Sequence, residues 1–233
     1  MHSYKWFIAL PAGIIIAHAL PAVSRLGMGG LLFPVIRRVD SSDSVVLTFD
    51  DGPDVYTVKI LDVLSRYDTK AVFFVVGEQV ERHPNLLREV VAAGHEIGIH
   101  GYRHVSHLLR APLTTIEDVR RCKVIIEDTT GVSPRYIRPP YGVFSLASWV
   151  ESVRQGWMRV LWSRWGKDWM PEATPLQIAQ NIGTPEAGDI ILLHDSDRYS
   201  YPGAPLRTIE AIPIILQHIA DKGMHTTLLC DLV

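Results

Sequence analysis

Val45-Val46-Leu47-Thr48-Phe49 runs directly into Asp50-Asp51-Gly52-Pro53. The β-branched apolar run reads as a buried strand, and the Asp-Gly-Pro that follows ends it in a tight turn. From Tyr56 to Tyr67, apolar residues recur at Val58, Ile60, Leu61 and Leu64, a helical spacing. Ala71-Val72-Phe73-Phe74-Val75-Val76 is then a second strand, apolar throughout, as expected of a sheet covered on both faces. The alternation continues along the chain. Further strands are expected at His95–Ile99, Tyr136-Ile137, Met158–Trp162, Asp189–Leu193 and Met224–Leu228. Pro84 opens a helix that Gly94 closes, and Thr114 with Glu117 makes a capping box for a helix ending before Gly131. Ser145 caps a helix that Gly156 ends; Thr174, Pro175 and Gln177 start another; Arg207 to Asp221 is the last. Seven strands alternating with six helices imply parallel strands joined by crossover helices. Both an open doubly wound sheet and a (β/α) barrel satisfy that pattern. The polar residues favour the barrel: Asp50, His100, Arg138, Asp168 and His194 each fall at or just past the C-terminal end of a different strand. In a barrel those ends converge on one mouth.

The 233 residues suit one substantial domain with a short appendage. With 47% hydrophobic and 21% charged residues the chain is ordinary globular material, which excludes extended disorder. A net charge of −2, without a dense Lys/Arg tract, argues against nucleic acid as a partner. Two cysteines, Cys122 and Cys230, exclude cysteine zinc sites and CxxC redox chemistry.

The N-terminus differs from the rest. Trp6 to Val23 holds no Asp, Glu, Lys or Arg over 18 residues. Three readings compete: a signal peptide with Ala17-His18-Ala19 as cleavage site, an uncleaved anchor, or an interfacial helix. As a helix the run reaches about 27 Å, just short of a bilayer core. Residues 24–43 read as linker. The expected division is 1–40, an apolar anchor or signal plus linker, and 41–233, a catalytic domain. The expected location is membrane-associated or secreted, outside the cytoplasm.

Several clusters carry chemistry. Asp50 and Asp51 are adjacent carboxylates on a turn; such pairs divide labour, one binding a metal and the other acting as base, although a solvated turn has the same composition. His100 and His104, four apart after a strand, can reach one ion. No Glu directly follows His100, so this is not the metalloprotease pattern. His95 and His107 flank the pair and read as structural. Arg138-Pro139-Pro140-Tyr141-Gly142 is a rigid segment whose arginine can pin a carboxylate in its ionised form. Trp162, Trp165 and Trp169 can line a pocket beside Asp168. His194, at the end of an apolar run, suits a proton donor. Each of these, taken singly, also has a plain structural reading.

Together and in this order, the five clusters resemble the polysaccharide deacetylase family, carbohydrate esterase family 4, over about Val45 to Leu228. The resemblance implies an α/β fold, a distorted (β/α) barrel of about seven parallel strands. It implies a metal-dependent hydrolase that removes N-acetyl groups, or in some members O-acetyl groups, from peptidoglycan or a chitin-like glycan. The metal is commonly Zn2+, with Co2+, Ni2+ or Mn2+ as alternatives. Carried over by position, Asp51, His100 and His104 hold the metal and its water is the nucleophile. Asp50 is the base, oriented by Arg138, and the Tyr141 N–H helps bind the oxyanion. His194 is the acid, oriented by Asp168, and Trp169 and Leu192 flank the acetyl methyl.

Two departures stand out. The family usually has Ser or Thr after the first metal histidine, and often Asn before it; here these are Gly101 and Ile99, which removes a hydrogen bond behind the ligands. The segment Arg164–Lys167 lacks the Asp common there, which bears on substrate preference. The expected partners are a carbohydrate and, through residues 6–23, a membrane; the chain is read as a monomer. Three rivals remain: a non-haem iron oxygenase, an inactive carbohydrate-binding barrel, and a deacylase of a lipid-linked amino sugar.

Overall fold

The computed structural model describes residues 16–27 and 30–232. Its centre is β1 (Ser44–Asp50), buried at every position because the run has no residue that needs solvent until its last carboxylate. Strands β2 (Val72–Val75) and β7 (Ile190–His194) flank β1, both parallel to it. The sheet continues through β3 (Glu96–Ile99) and β4 (Tyr136–Ile137) to β5 (Met158–Arg159) on one side. On the other side β7 is followed by β6 (Arg164–Trp165). A short β8 (His225–Thr226) pairs with the start of β1. The order is β5-β4-β3-β2-β1-β7-β6, all parallel. The sheet curls into a distorted (β/α) barrel, as expected.

Three local expectations need correction. The strand expected over 158–162 stops at Arg159, because Val160 pairs with Ile36 instead. The chain then returns to the sheet as β6, an eighth strand held by the β7 backbone. The helix expected to be capped by the Thr114–Glu117 box starts three residues earlier, with Ala111 at the cap position. It is α4 (Pro112–Thr130), with Pro112 in the first turn and no side-chain cap. Proline's preset φ fixes the start before the box is reached.

The other helices are α1 (Val55–Arg66), α2 (Gly77–Arg82), α3 (Pro84–Ala92), α5 (Leu146–Arg154), α6 (Pro175–Ile182) and α7 (Ala204–Ala220). Ser145 and Thr174 cap α5 and α6 through the expected reciprocal boxes. The helices cover the outside of the sheet, and their apolar faces join the sheet's outer face in one core cluster.

Residues 33–39, within the stretch read as linker, lie along the barrel. Phe33 meets Trp149 edge-on at 5.3 Å, and Leu161 N–H donates to Ile36 O at 2.8 Å. Among the described residues no helix is long and apolar enough to cross a membrane. Most of the uncharged run, residues 6–15, lies outside the described residues.

Candidate active site

The strand ends converge as the alternation predicts. Asp50 closes β1 and His194 closes β7, and the two are register partners in adjacent strands. Asp51 follows at φ 86, a left-handed conformation that carboxylate residues tolerate better than most. The turn is held from outside the pocket by Asp195. Its Oδ1 accepts the Gly52 N–H at 2.9 Å and its Oδ2 accepts the Thr57 hydroxyl at 2.6 Å. A Cβ on Gly52 would sit 2.1 Å from that carboxylate, so glycine is required there. Burial, largest among the causes, pushes the Asp195 carboxyl up to about 7 despite these two donors.

Three side chains form a cluster with metal-ligand geometry. Asp51 Oδ1 lies 3.4 Å from His100 Nε2 and 3.3 Å from His104 Nε2. The backbone carbonyl of Arg138 accepts a hydrogen bond from His100 Nδ1 at 2.7 Å, which turns Nε2 of that ring toward Asp51. Asp51 Oδ1 is buried without a hydrogen-bond donor. A buried carboxylate oxygen facing two imidazole nitrogens is a donor set that fits a divalent cation, and two nitrogens plus one oxygen leave room for water. Burial opposes charge on Asp51, but the neighbouring imidazoles of His100, His104 and His194 outweigh it and hold its carboxyl at about 2. Burial lowers His104 to about 4, so its ring is neutral and able to ligate at ordinary pH.

Asp50 lies beside this cluster. Its Oδ1 accepts from Arg138 Nη1 at 2.7 Å, and its Oδ2 is 3.8 Å from His100 Nε2. Arg138 is fully buried. It also donates to the Thr48 hydroxyl (2.8 Å) and to the carbonyls of Val160 (3.3 Å) and Leu161 (2.9 Å). Its guanidinium lies 4.1 Å over the Phe74 ring. With all three of its nitrogens engaged, the guanidinium holds Asp50 in one orientation.

On the far side, His194 Nδ1 donates to Asp168 Oδ1 at 2.8 Å. Asp168 Oδ2 accepts from the His194 N–H and the Thr208 hydroxyl, each at 2.8 Å. Burial disfavours the imidazolium, but the Asp168 charge and hydrogen bond outweigh it and raise His194 to about 10. The ring is therefore a protonated acid at neutral pH. Trp169 meets it edge-on at 5.5 Å, and Trp165 and Trp162 continue the aromatic row.

The pocket, ≈ 200 Å³, is lined by Asp50, His100, His104, Tyr141, Trp169, Leu192 and His194 among others. Asp51 lies directly against this wall, and Arg138 and Asp168 lie behind it. The structure thus brings the residues given a site role on the sequence to this pocket or directly behind its wall. His95 and His107 stand outside the Asp51–His100–His104 cluster: Ala71 donates its N–H to His95 Nδ1, and neither nitrogen of His107 has a hydrogen-bond partner among the described residues.

Sequence reasoning missed several contributors. Tyr199 stacks on His104, with centroids 4.3 Å apart at 18°, and its hydroxyl accepts from Gln79. A tyrosine in a long loop gives no advance signal. Asp118, within α4, takes the place of the hydrogen bond expected to be missing beside Gly101. It accepts the N–H groups of Tyr102 (2.8 Å) and Arg103 (3.2 Å) and pairs with Arg110. Gly101 adopts φ +87, and a Cβ there would meet Asp118 at 3.0 Å. The glycine and the distant carboxylate therefore act together to shape the loop between the two histidines. Arg25 also reaches the pocket, donating from Nε to the Tyr141 carbonyl at 2.8 Å.

Comparison with known proteins agrees with this arrangement. Residues 37–158 match the family model described as polysaccharide deacetylase. A peptidoglycan-N-acetylglucosamine deacetylase of Bacillus cereus is 33% identical over 77% of this chain and 64% of its own length. This chain thus spans about two thirds of that relative. A chitooligosaccharide deacetylase of Bradyrhizobium sp. is 34% identical over 83% of this chain and 94% of its own. The crystal structure of the Bc1960 peptidoglycan N-acetylglucosamine deacetylase superposes with TM-score 0.78. Its identity is 30%, over 84% of this chain and 91% of that one. Sequence, fold and site geometry agree that the chain belongs to the polysaccharide deacetylase family, carbohydrate esterase family 4.

Proposed function

We propose that this chain is a metal-dependent deacetylase that hydrolyses the N-acetyl group of an amino sugar in a peptidoglycan or chitin-like glycan. The observation that carries the reading is one pocket bearing three things at once. These are an Asp-His-His donor set, a carboxylate fixed by a buried arginine, and a histidine held protonated by a second carboxylate. Amide hydrolysis needs a water that loses its proton, stabilisation of the oxyanion, and a proton for a poor leaving amine.

Asp51, His100 and His104 would hold the cation, with Zn2+ the first candidate for a set of two nitrogens and one oxygen. When bound, it supplies Lewis acidity toward the acyl oxygen and lowers the pKa of water. Asp50 takes the proton of the attacking water, its free Oδ2 turned toward the cluster because Oδ1 is committed to Arg138. The Tyr141 backbone N–H donates to the developing oxyanion, in a segment that φ 61 and the flanking prolines keep rigid. His194 gives its proton to the leaving nitrogen, and Asp168 keeps that ring charged and aimed. Trp169 and Leu192 close around the acetyl methyl and exclude water. The products are acetate and a free amine.

The protein acts outside the cytoplasm, where such glycans lie, with the uncharged run of residues 6–23 serving membrane association. The Asp50–Arg138 pair and the charged His194 argue against an oxygenase, which needs neither. The intact site argues against an inactive binding barrel. The test is acetate release from peptidoglycan, chitooligosaccharides, acetylated xylan and a lipid-linked amino sugar, before and after chelation and metal return. Metal content and oxygen uptake are followed alongside. Acetate release that chelation abolishes supports the reading; bound metal without acetate release from any of the four overturns it.

A further inference from the structure

A second cleft, ≈ 230 Å³, opens beside the catalytic pocket and shares Arg25, Trp162 and Trp165 with it. Arg37, Leu161 and Ser163 complete its lining. The two arginines are built into position by backbone. The segment Leu20–Leu26 forms a short 3-10 helix ended by Gly27 at φ 74, with the Ser24 hydroxyl bonded to Pro21 O. Arg37 Nη1 donates to the carbonyls of Arg25 (2.9 Å) and Ser24 (3.4 Å), and Arg25 Nε donates to Tyr141 O.

The charged side chains lining this cleft are two arginines, with no carboxylate among them. Arg25 and Arg37 form no ion pair among the described residues. Burial lowers the pKa of Arg37, and the only charged group adding to that shift is the like charge of Arg25. Two guanidinium groups side by side at the edge of a cleft present directed N–H donors and positive charge to an anionic ligand. Trp162 and Trp165, stacked at 6.0 Å, supply the flat apolar faces against which a pyranose ring packs.

We propose that the Arg25–Arg37 cleft is a subsite for an acidic sugar, one carrying a carboxylate or phosphate, next along the glycan from the sugar whose acetyl group occupies the catalytic pocket. The inference rests on the deacetylase reading for its geometry and goes beyond it in naming a charge requirement. Neutral chitin-like chains fill the catalytic pocket but leave the arginine pair unmatched.

The experiment compares kcat/KM on three disaccharides. They are neutral N,N′-diacetylchitobiose, N-acetylglucosamine joined to N-acetylmuramic acid (a carboxylate), and N,N′-diacetylchitobiose 1-phosphate. Variants Arg37→Gln and Arg37→Lys are measured beside the parent. The acidic-to-neutral ratio falls about 10-fold or more in Arg37→Gln, as expected for loss of one charge-assisted contact. Most of the ratio survives in Arg37→Lys. Whichever acidic substrate shows the effect identifies the anion. An unchanged ratio for both overturns the proposal.

A second measurement needs no turnover: tryptophan fluorescence titrated with N-acetylmuramic acid, N-acetylglucosamine 1-phosphate and N-acetylglucosamine. Saturable quenching by an acidic sugar at concentrations where the neutral one is silent, weakened in Arg37→Gln, supports the subsite even if no acetate is released. Equal responses to all three sugars overturn it. Loss of acetate release from every substrate would sink the deacetylase reading separately.

Discussion

Replacing Arg138 by Gln should cost far more than any surface change, and the structure says how much. Arg138 is fully buried, and its guanidinium serves the Asp50 carboxylate, the Thr48 hydroxyl and the carbonyls of Val160 and Leu161. Removing one partner of a buried ion pair leaves the other charge uncompensated, at about 3–5 kcal/mol. The amide of Gln reaches one of these acceptors but cannot serve all of them. In Asp50→Asn the stranded charge is absent, so adding Arg138→Gln to that variant should cost clearly less. The assay is equilibrium urea unfolding of the parent, both single variants and the double variant. A coupling energy of at least about 2 kcal/mol is expected for this contact. Turnover should fall about 10²-fold in Arg138→Gln, because a base displaced by an ångström loses its alignment. Coupling within about 0.5 kcal/mol, the ordinary error of additivity, would refute the claim that Arg138 acts through Asp50.

Three further predictions follow from the site and its surroundings. Asp50→Asn should keep its metal but lose roughly 10²–10⁴-fold in rate as a lost base. Asp51→Asn should lose metal first, with activity partly restored by excess metal; elemental analysis beside rate measurements reads both, and the reverse outcome would exchange the two roles. His194→Ala should slow amide hydrolysis about 10²–10⁴-fold but spare an activated acetyl ester, whose leaving group needs no proton; equal losses would make His194 structural. His107 is lowered from 6.5 to about 3, chiefly by burial, so the unfolded chain binds a proton there that the folded one refuses. Its contribution is fully present above pH 6.5 and is lost as pH falls toward 3, by roughly 3–5 kcal/mol. His107→Leu should remove about one proton from the pH slope of unfolding and cost little at pH 8, since both ring nitrogens are unpartnered. An unchanged slope would place the acid sensitivity elsewhere.

The residues around the pocket were legible because chemistry and topology coincide there. Asp50, His100, Arg138 and His194 each interrupt or end an apolar run, and in parallel strands those interruptions land at one end. What was not legible depends on contacts across long sequence separation. Asp118 supports Tyr102 from 16 residues away in the middle of a helix, where an acidic residue looks like solvated surface. Tyr199 meets His104 from a loop 95 residues later. Arg25 belongs to a stretch whose glycines suggest a linker, and the packing of Leu20–Leu26 and of residues 33–39 on the barrel brings it to the mouth. The short β6 failed to register because two residues, one charged and one aromatic, carry no period; the β7 backbone makes them a strand. The capping box in α4 matched a local pattern that Pro112 pre-empted.

The register between β1 and β7 has a consequence for how this enzyme can fail. Asp50 and His194 occupy the same rung of one parallel ladder, and Asp195 ties the next residue of β7 to the turn after β1. Asp50 and His194, the proposed base and acid, therefore have no hinge between them. Sliding either strand by one residue would throw one of the two side chains to the opposite face, so no slightly shifted version of the site exists. A slip in the pairing of these strands, unlike the loss of a single side chain, should not yield a graded series of slower enzymes. A population would instead divide into molecules with full turnover and molecules with none, and a measured rate would count the fraction folded.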